Sequence, residues 1–411
     1  MPNASYPHRR IAMNHPVVIV GASMGGLRTA ESLRRFGYLG PITVIGQEAH
    51  KPYNRPPLSK EVLAKEVTHE AVAFEERAAT ADVNWVLGTK AESADFEHNT
   101  VTDSDGQVHP YAALVIATGL RSRRLSVPNS ELSGRHALRT LDDAIALRAE
   151  LVTGKNVVIV GGGFIGCEVA ATAVKLGCNV TVVHHAAHPM LRPLGVELAK
   201  QMQLRHEAMG VSFKLKRSVI DLIGTTHVEG VRLDDETTLD CDVLIEAIGS
   251  NANVEWLSGN DIDRNDGVLV DSAMRVVNRA GHAIPNVFAI GDVARFANPI
   301  FDLEPRKVEH WNIPTETAKR AASVIAAMLT GSDSYPGILD DPFKPIPSFW
   351  SDQYENHLLA FGLLALADKA TLVAGDISGD CVFEYTRADQ LVGVCGIGMR
   401  SVVQGYRTKF V

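Results

Sequence analysis

Gly161, Gly163 and Gly166 stand in a G-x-G-x-x-G spacing directly after the apolar run Val157-Val158-Ile159-Val160. That pattern suits the pyrophosphate of a dinucleotide. The first glycine permits a tight turn, the second lets phosphate approach the backbone, and the third lets helix and strand pack closely. The phosphates then meet free N–H groups at a helix N-terminus, where the dipole favours an anion. An earlier turn keeps Gly21 and Gly26 but carries Ser23 in the middle. A small side chain fits there, and its hydroxyl is itself a phosphate donor. Glu48, 22 residues after Gly26, is placed to accept hydrogen bonds from a ribose diol. At the corresponding point of the later copy stands His184, which cannot act as that carboxylate. With Arg192 nearby, His184 is compatible with a 2′-phosphate, so NADH and NADPH both stay open. His184, His185 and His188 follow a strand end without a helical His-x-x-x-His spacing, which argues against a metal site.

The elements that must hold these residues are written twice. Residues 17–48 and 157–184 each open with four β-branched residues, the mark of a strand buried on both faces. A Gly-rich turn, a helix with small residues on its inner side and a second apolar strand follow, so each segment reads as a βαβ unit. Three further runs predict buried strands: Ala113 to Ile116, leading into Ala117-Thr118-Gly119; Cys241 to Gly249; and Val287 to Ile290, leading into Gly291-Asp292. The fold class is therefore α/β, with two Rossmann-like dinucleotide-binding domains.

Bulk properties narrow the function. A chain of 411 residues, 45% hydrophobic and 21% charged, is long enough for two or three domains. A formal charge of −8 supplies no net positive field for nucleic acid. No apolar run reaches the ~18–20 residues of a membrane span. The stretch Met1 to His15 is polar and lacks a signal-peptide core, so it reads as a disordered lead, with Met13 as a second candidate start. A cytoplasmic protein with reduced thiols is expected, because the five cysteines are scattered without any CxxC.

In this order, the two nucleotide units, Ala-Thr-Gly and Gly-Asp resemble the two-dinucleotide-binding-domain flavoproteins of the glutathione reductase class. Disulfide reductases of that class carry flavin-facing cysteines just after the first unit. Here the segment is His50-Lys51-Pro52-Tyr53-Asn54-Arg55-Pro56-Pro57-Leu58-Ser59-Lys60, without cysteine. It is similar instead to the PYxRPPLSK motif of bacterial ferredoxin reductases that serve haem monooxygenases and Rieske dioxygenases. Val308-Glu309-His310-Trp311 and Phe349-Trp350-Ser351-Asp352-Gln353-Tyr354 resemble two further blocks of that family. Ser23, Lys51 in place of arginine, and His184 depart from its pattern.

The resemblance implies FAD, NADH or NADPH as cofactors, and an acidic 2Fe–2S ferredoxin, docked electrostatically, as partner. It implies hydride transfer to the flavin and single-electron release to the ferredoxin. Lys60, on the helix opened by Leu58-Ser59, would lie near flavin N5 with Glu168 as its counter-charge; without the motif they read as a solvated lysine and a first-turn acid. The implied cofactor set runs through Gly21, Ser23, Gly26, Glu48, Lys51, Arg55, Lys60 and Ala91, then Ala117, Thr118, Gly119 and Arg139. It continues with Gly161, Gly163, Phe164, Ile165, Gly166, Glu168, His184, Arg192, Ile248 and Gly249, and ends with Asp292, Val308, Trp311 and Trp350. The implied domains are a discontinuous FAD domain (1–120 and 249–327), an NAD(P) domain (121–248) and a small α+β C-terminal domain (328–411), near whose start the turn residues of 330–337 read as a linker. Arg121, Arg123, Arg124, Arg400, Arg407 and Lys409 are candidate bases for the ferredoxin. The competing readings are a reductase acting directly on a small molecule and a non-catalytic flavoprotein redox sensor.

Overall fold

The computed structural model describes residues 15–410, so the expected lead, with Met13, lies outside the described residues save for His15. Two compact units divide the chain. One comprises residues 15–53, Ala73–Leu120 and Ala252–Pro345; the second comprises Asn54–Val72, Arg121–Asn251 and residues 346–410. This grouping cuts differently from a three-domain division. Asn54–Val72 and the C-terminal sheet both go with the second nucleotide unit, and polar side chains from each meet one helix of it.

In the first unit a six-stranded sheet runs in the order Arg275–Val277, Ala283–Ala289, Ala113–Ile116, Val17–Val20, Ile42–Gly46, Asn84–Leu87. All neighbours pair in parallel except Arg275–Val277. Val17, Val18 and Ile19 are fully buried and Val20 nearly so, which is why this strand shows no polar alternation. Each such side chain contributes about 1.5–3 kcal/mol on burial. The chain leaves Val17–Val20 outward to Ile42–Gly46 and returns to its other side at Ala113–Ile116. That reversal is a topological switch point, the place where open α/β sheets bind ligands beyond the carboxyl ends of their strands. The helices Met24–Arg35 and Ile313–Thr330 pack together here, and Gly331 ends the latter in left-handed backbone (φ 68°).

In the second unit a five-stranded parallel sheet repeats the plan in the order Ser212–Leu215, Asn179–His184, Asn156–Val160, Val243–Glu246, Arg135–His136. Its switch point lies between Asn156–Val160 and Val243–Glu246. From Ile346 onward a wholly antiparallel five-stranded sheet forms, ordered Ser348–Gln353, Asn356–Gly362, Gln390–Ile397, Cys381–Arg387, Lys369–Gly375, and the chain closes on the short helix Arg400–Gly405. The linker at 330–337 is less irregular than its turn residues suggest. Ser334 and Pro336 start a short helix, Tyr335–Asp340, because proline suits a first helical turn. Among the described residues no helix is long and apolar enough to cross a membrane.

Candidate functional site

The first nucleotide cradle forms where Val17–Val20 ends. Gly21 has φ +125°, and a Cβ there would lie 2.1 Å from the Ala117 carbonyl oxygen. A Cβ at Gly26 would lie 2.1 Å from the Gly21 carbonyl oxygen. Glycine is therefore required at both positions by backbone contact. Ser23 takes the N-cap of Met24–Arg35 in extended backbone. Beside this loop, Thr118 Oγ1 donates to the Asn253 carbonyl at 2.8 Å, and the Asn253 side-chain amide returns a bond to the Thr118 carbonyl at 3.0 Å. The Gly291 N–H donates to Thr317 Oγ1 at 2.9 Å, fixing the turn that carries half-buried Asp292. Glu48 accepts a 2.5 Å bond from the buried Tyr53 hydroxyl just beyond the second strand. Gly21, Ser23, Gly26, Ala117, Thr118 and Gly119 thus gather at the strand ends of one switch point. Lys51 is on the surface with Glu76 at 2.5 Å, Ala91 opens a separate antiparallel sheet, Val308 is buried, and Trp311 is 40% exposed.

The second cradle repeats the first. A Cβ at Gly161 (φ +111°) would lie 2.1 Å from the Ala247 carbonyl oxygen, and one at Gly166 would lie 2.1 Å from the Gly161 carbonyl oxygen. Gly163, the N-cap of Phe164–Lys175, is different: a Cβ there would meet nothing within 4 Å. Open space therefore faces the unpaired N–H groups of the helix N-terminus, which fits a pyrophosphate. Ile165 is 48% exposed at the start of that helix, and Ile248 and Gly249 follow the adjacent strand. His184 lies against the loop, its Nδ1 accepting the Gly162 N–H at 3.1 Å. Burial, with His185 beside it, pushes His184 down to about 4, so the ring is neutral at ordinary pH. His188 Nδ1 is engaged by Gln203 at 2.8 Å, and no three His, Cys, Asp or Glu among the described residues are grouped to hold a metal. Arg192 is exposed at the start of Leu191–Ala208.

The structure brings Lys60 and Glu168 together. Lys60 Nζ lies 2.8 Å from Glu168 Oε2, with side-chain exposures of 17% and 5%. Lys60 is not within a helix; it joins the 3-10 turn Pro56–Ser59 to the helical turn Glu61–Ala64. Nor is Glu168 a first-turn acid, since it is the fifth residue of Phe164–Lys175 and faces inward. Two hydroxyls complete its shell: Ser59 Oγ donates to Oε2 at 2.5 Å and Ser351 Oγ to Oε1 at 2.6 Å. Gln353 donates to Ser351 Oγ at 2.9 Å, and its Oε1 lies 2.7 Å from the ring Nε2 of His206, which is fully buried. Two hydroxyls and the Lys60 Nζ thus meet the buried carboxyl, as burial of a polar group requires.

Matching periods create this arrangement. Residues i and i+2 of a strand share a face about 6.6 Å apart, and residues i and i+4 of a helix share one about 6 Å apart. Phe349 therefore meets Phe164, with ring centroids 5.0 Å apart, one step before Ser351 meets Glu168. Trp350 falls on the opposite strand face, away from Glu168. Ser59, Ser351, Gln353 and His206 were not identified from sequence as site residues. The available signal was the two-residue spacing of Ser351 and Gln353, which in a strand puts both on one face. Arg55 and Arg139 are also joined, the Arg55 guanidinium donating to the Arg139 carbonyl just before the helix Leu141–Glu150.

The candidate bases in this unit are less uniform than their charges. Arg123 is tied to Asn251 at 2.9 Å and Arg124 to Glu246 at 3.0 Å, whereas Arg407 and Lys409 lie over the Phe361 and Tyr406 rings. All five cysteines are buried and free of disulfides, and burial pushes each thiol up, Cys241 to about 12. They are packing residues, without the thiolate character that disulfide exchange needs.

Comparison with known proteins agrees with this geometry. Residues 15–321 match the family described as pyridine nucleotide-disulphide oxidoreductase. The chain is 37% identical over 364 residues to the ferredoxin–NAD(+) reductase component of an anthranilate 1,2-dioxygenase system from Burkholderia cepacia, covering 88% of this chain and 85% of that one. It is 34% identical to a ferredoxin–NAD(P)(+) reductase of a Sphingomonas species, with 96% and 92% covered. The crystal structure of a covalent putidaredoxin reductase–putidaredoxin complex superposes with a TM-score of 0.87 at 30% identity, covering 97% of this chain and 93% of that one. The repeated cradle, the mixed α/β sheets and these likenesses lead to one conclusion: the chain belongs to the pyridine nucleotide-disulphide oxidoreductase family, as a two-dinucleotide-domain member of the ferredoxin reductase kind.

Proposed function

We propose that this protein is an FAD-dependent NAD(P)H:ferredoxin reductase of the cytoplasm. It takes a hydride from NAD(P)H and passes electrons singly to an acidic 2Fe–2S ferredoxin that feeds a haem monooxygenase or a Rieske dioxygenase. The observation that carries the reading is the pair of equivalent glycine cradles combined with an ion pair of Lys60 with the buried Glu168, in a chain whose segment after the first unit lacks the cysteines of a disulfide reductase. The reductase names of its relatives support it.

The first cradle would hold FAD, with Glu48 for the adenosine ribose, Asp292 for the ribityl chain and Thr118 and Gly119 beside the flavin. The second would hold NAD(P)H. Bound flavin supplies a hydride acceptor that can release electrons one at a time. The chain supplies position and charge. Glu168, fixed by Ser59 and Ser351, pairs with Lys60, the residue that the family resemblance would assign to flavin N5. Glu168 thereby acts as a positioning group for Lys60.

Stopped-flow mixing of the purified yellow protein with NADH or NADPH, followed by a 2Fe–2S ferredoxin, tests this function. Fast bleaching and rapid ferredoxin reduction are expected. Bleaching without transfer to any ferredoxin, but with turnover of a quinone, would replace the protein acceptor with a small molecule.

A further inference from the structure

The two cradles differ at the one position that reads the adenosine ribose. Glu48 presents carboxylate oxygens after the second strand of the first unit, whereas His184 ends the equivalent strand of the second. A carboxylate accepts from a 2′-hydroxyl and repels a 2′-phosphate. His184 does neither. Its Nδ1 is occupied by the Gly162 N–H, so in the neutral ring the proton sits on Nε2 and that atom is a donor. The ring is also held in place: a Cβ at Gly162 would lie 3.0 Å from its Cγ. Glycine at that position therefore makes room for histidine, and the histidine closes over the loop.

Bases cluster at the same strand end. The Arg217 N–H donates to the His184 carbonyl and the Lys216 N–H to the Ala186 carbonyl, each at 3.2 Å. Lys216 is exposed in left-handed backbone (φ 54°), which places it at the tip of the turn beside His184 and His185. The His184 and His185 rings meet edge to face, 4.7 Å between centroids. The carboxylates facing this turn, Asp235 at 2.5 Å and Asp234 at 4.0 Å, are committed to Arg217. Lys216 and Arg192 have no carboxylate partner among the described residues.

We propose that the end of the strand Asn179–His184 is a subsite for the 2′-phosphate of NADPH, with His184 Nε2–H, Lys216 and Arg192 as donors, so that the protein prefers NADPH to NADH. The inference rests on the second cradle being the nicotinamide-nucleotide site. Charge-assisted bonds from two or three donors correspond to roughly a 10- to 100-fold preference.

Calorimetric titration of the FAD-loaded protein with NADP+, NAD+, 2′,5′-ADP and 5′-ADP tests it without turnover. The 2′-phosphorylated member of each pair is expected to bind at least ~10-fold more tightly. His184→Glu should reverse the order, and Lys216→Ala, at an exposed position that does not threaten folding, should weaken only the 2′-phosphorylated ligands. Tighter binding of NAD+ by the unaltered protein, or equal losses for both ligand types in Lys216→Ala, would overturn the subsite while leaving the nucleotide site standing. Displacement of 2′,5′-ADP by inorganic phosphate at the same concentration would overturn it in favour of a general anion site. Failure of all four nucleotides to bind would instead refute the reading of the second cradle.

Discussion

Replacing Lys60 with methionine removes the ammonium and keeps most of the stem volume, so it isolates what the charge does for Glu168. At 2.8 Å the pair gains roughly 6 kcal/mol of direct attraction at an effective dielectric of ~20, most of which offsets desolvation. Breaking a buried pair costs about 3–5 kcal/mol because one charge is stranded. Here the stranded carboxylate keeps two hydroxyl donors, from Ser59 and Ser351, so the lower end applies, about 3 kcal/mol for Lys60→Met. Glu168→Gln strands the ammonium instead. Lys60 is 17% exposed and also reaches the Pro56 carbonyl at 3.3 Å, so that change costs about 1.5 kcal/mol. Together the two changes leave two neutral groups and cost about 2 kcal/mol, a coupling of about 2.5 kcal/mol. Hydrogen exchange at the amides of Val169–Ala173, inside the helix that carries Glu168, measures local opening without assuming that both units unfold together. All four proteins are compared at one pH. Additivity of the single changes within ~0.5 kcal/mol would refute the idea that Lys60 and Glu168 are energetically one group.

Lys60→Ala should slow flavin reduction by NAD(P)H at least ~10-fold while FAD is retained, a loss of about 1.4 kcal/mol in transition-state stabilisation; unchanged stopped-flow rates would remove Lys60 from the reaction. Ferredoxin reduction should weaken steeply as salt rises from about 0.05 to 0.5 M, because an acidic partner is steered by exposed bases; a flat response would exclude electrostatic docking. Burial holds His206 below its ordinary value, partly opposed by the bond to Gln353, and its ring neighbours are Phe213 and Tyr354. The unfolded chain therefore takes up this proton first, so stability should fall as pH drops below about 6.5 and stay level above it. His206→Asn should flatten that limb in thermal unfolding between pH 7 and 5, and superimposable pH profiles would assign the acid sensitivity to other groups.

Both cradles were legible in the sequence because their constraints are local. A β-branched run followed by glycines at fixed offsets leaves few conformations, and Gly21 and Gly161 each face a carbonyl oxygen 2.1 Å from where a Cβ would stand. The strands leading into Ala-Thr-Gly and Gly-Asp were legible for the same reason, since apolar runs of that length bury themselves in a parallel sheet. The order of those strands was not, nor were the hydroxyl partners of Glu168, whose pairing with Lys60 was implied only by the family resemblance. Ser59 and Ser351 come from segments more than a hundred residues from Glu168, or nearly two hundred, and only the packing of the Pro56–Ser59 turn and of the strand Ser348–Gln353 against the helix Phe164–Lys175 sets them on one carboxylate. Sequence also left His184 ambiguous, because a histidine can donate or accept. Tertiary structure decided the matter: the Gly162 amide takes one ring nitrogen and burial denies the ring a second proton, so only a donor remains.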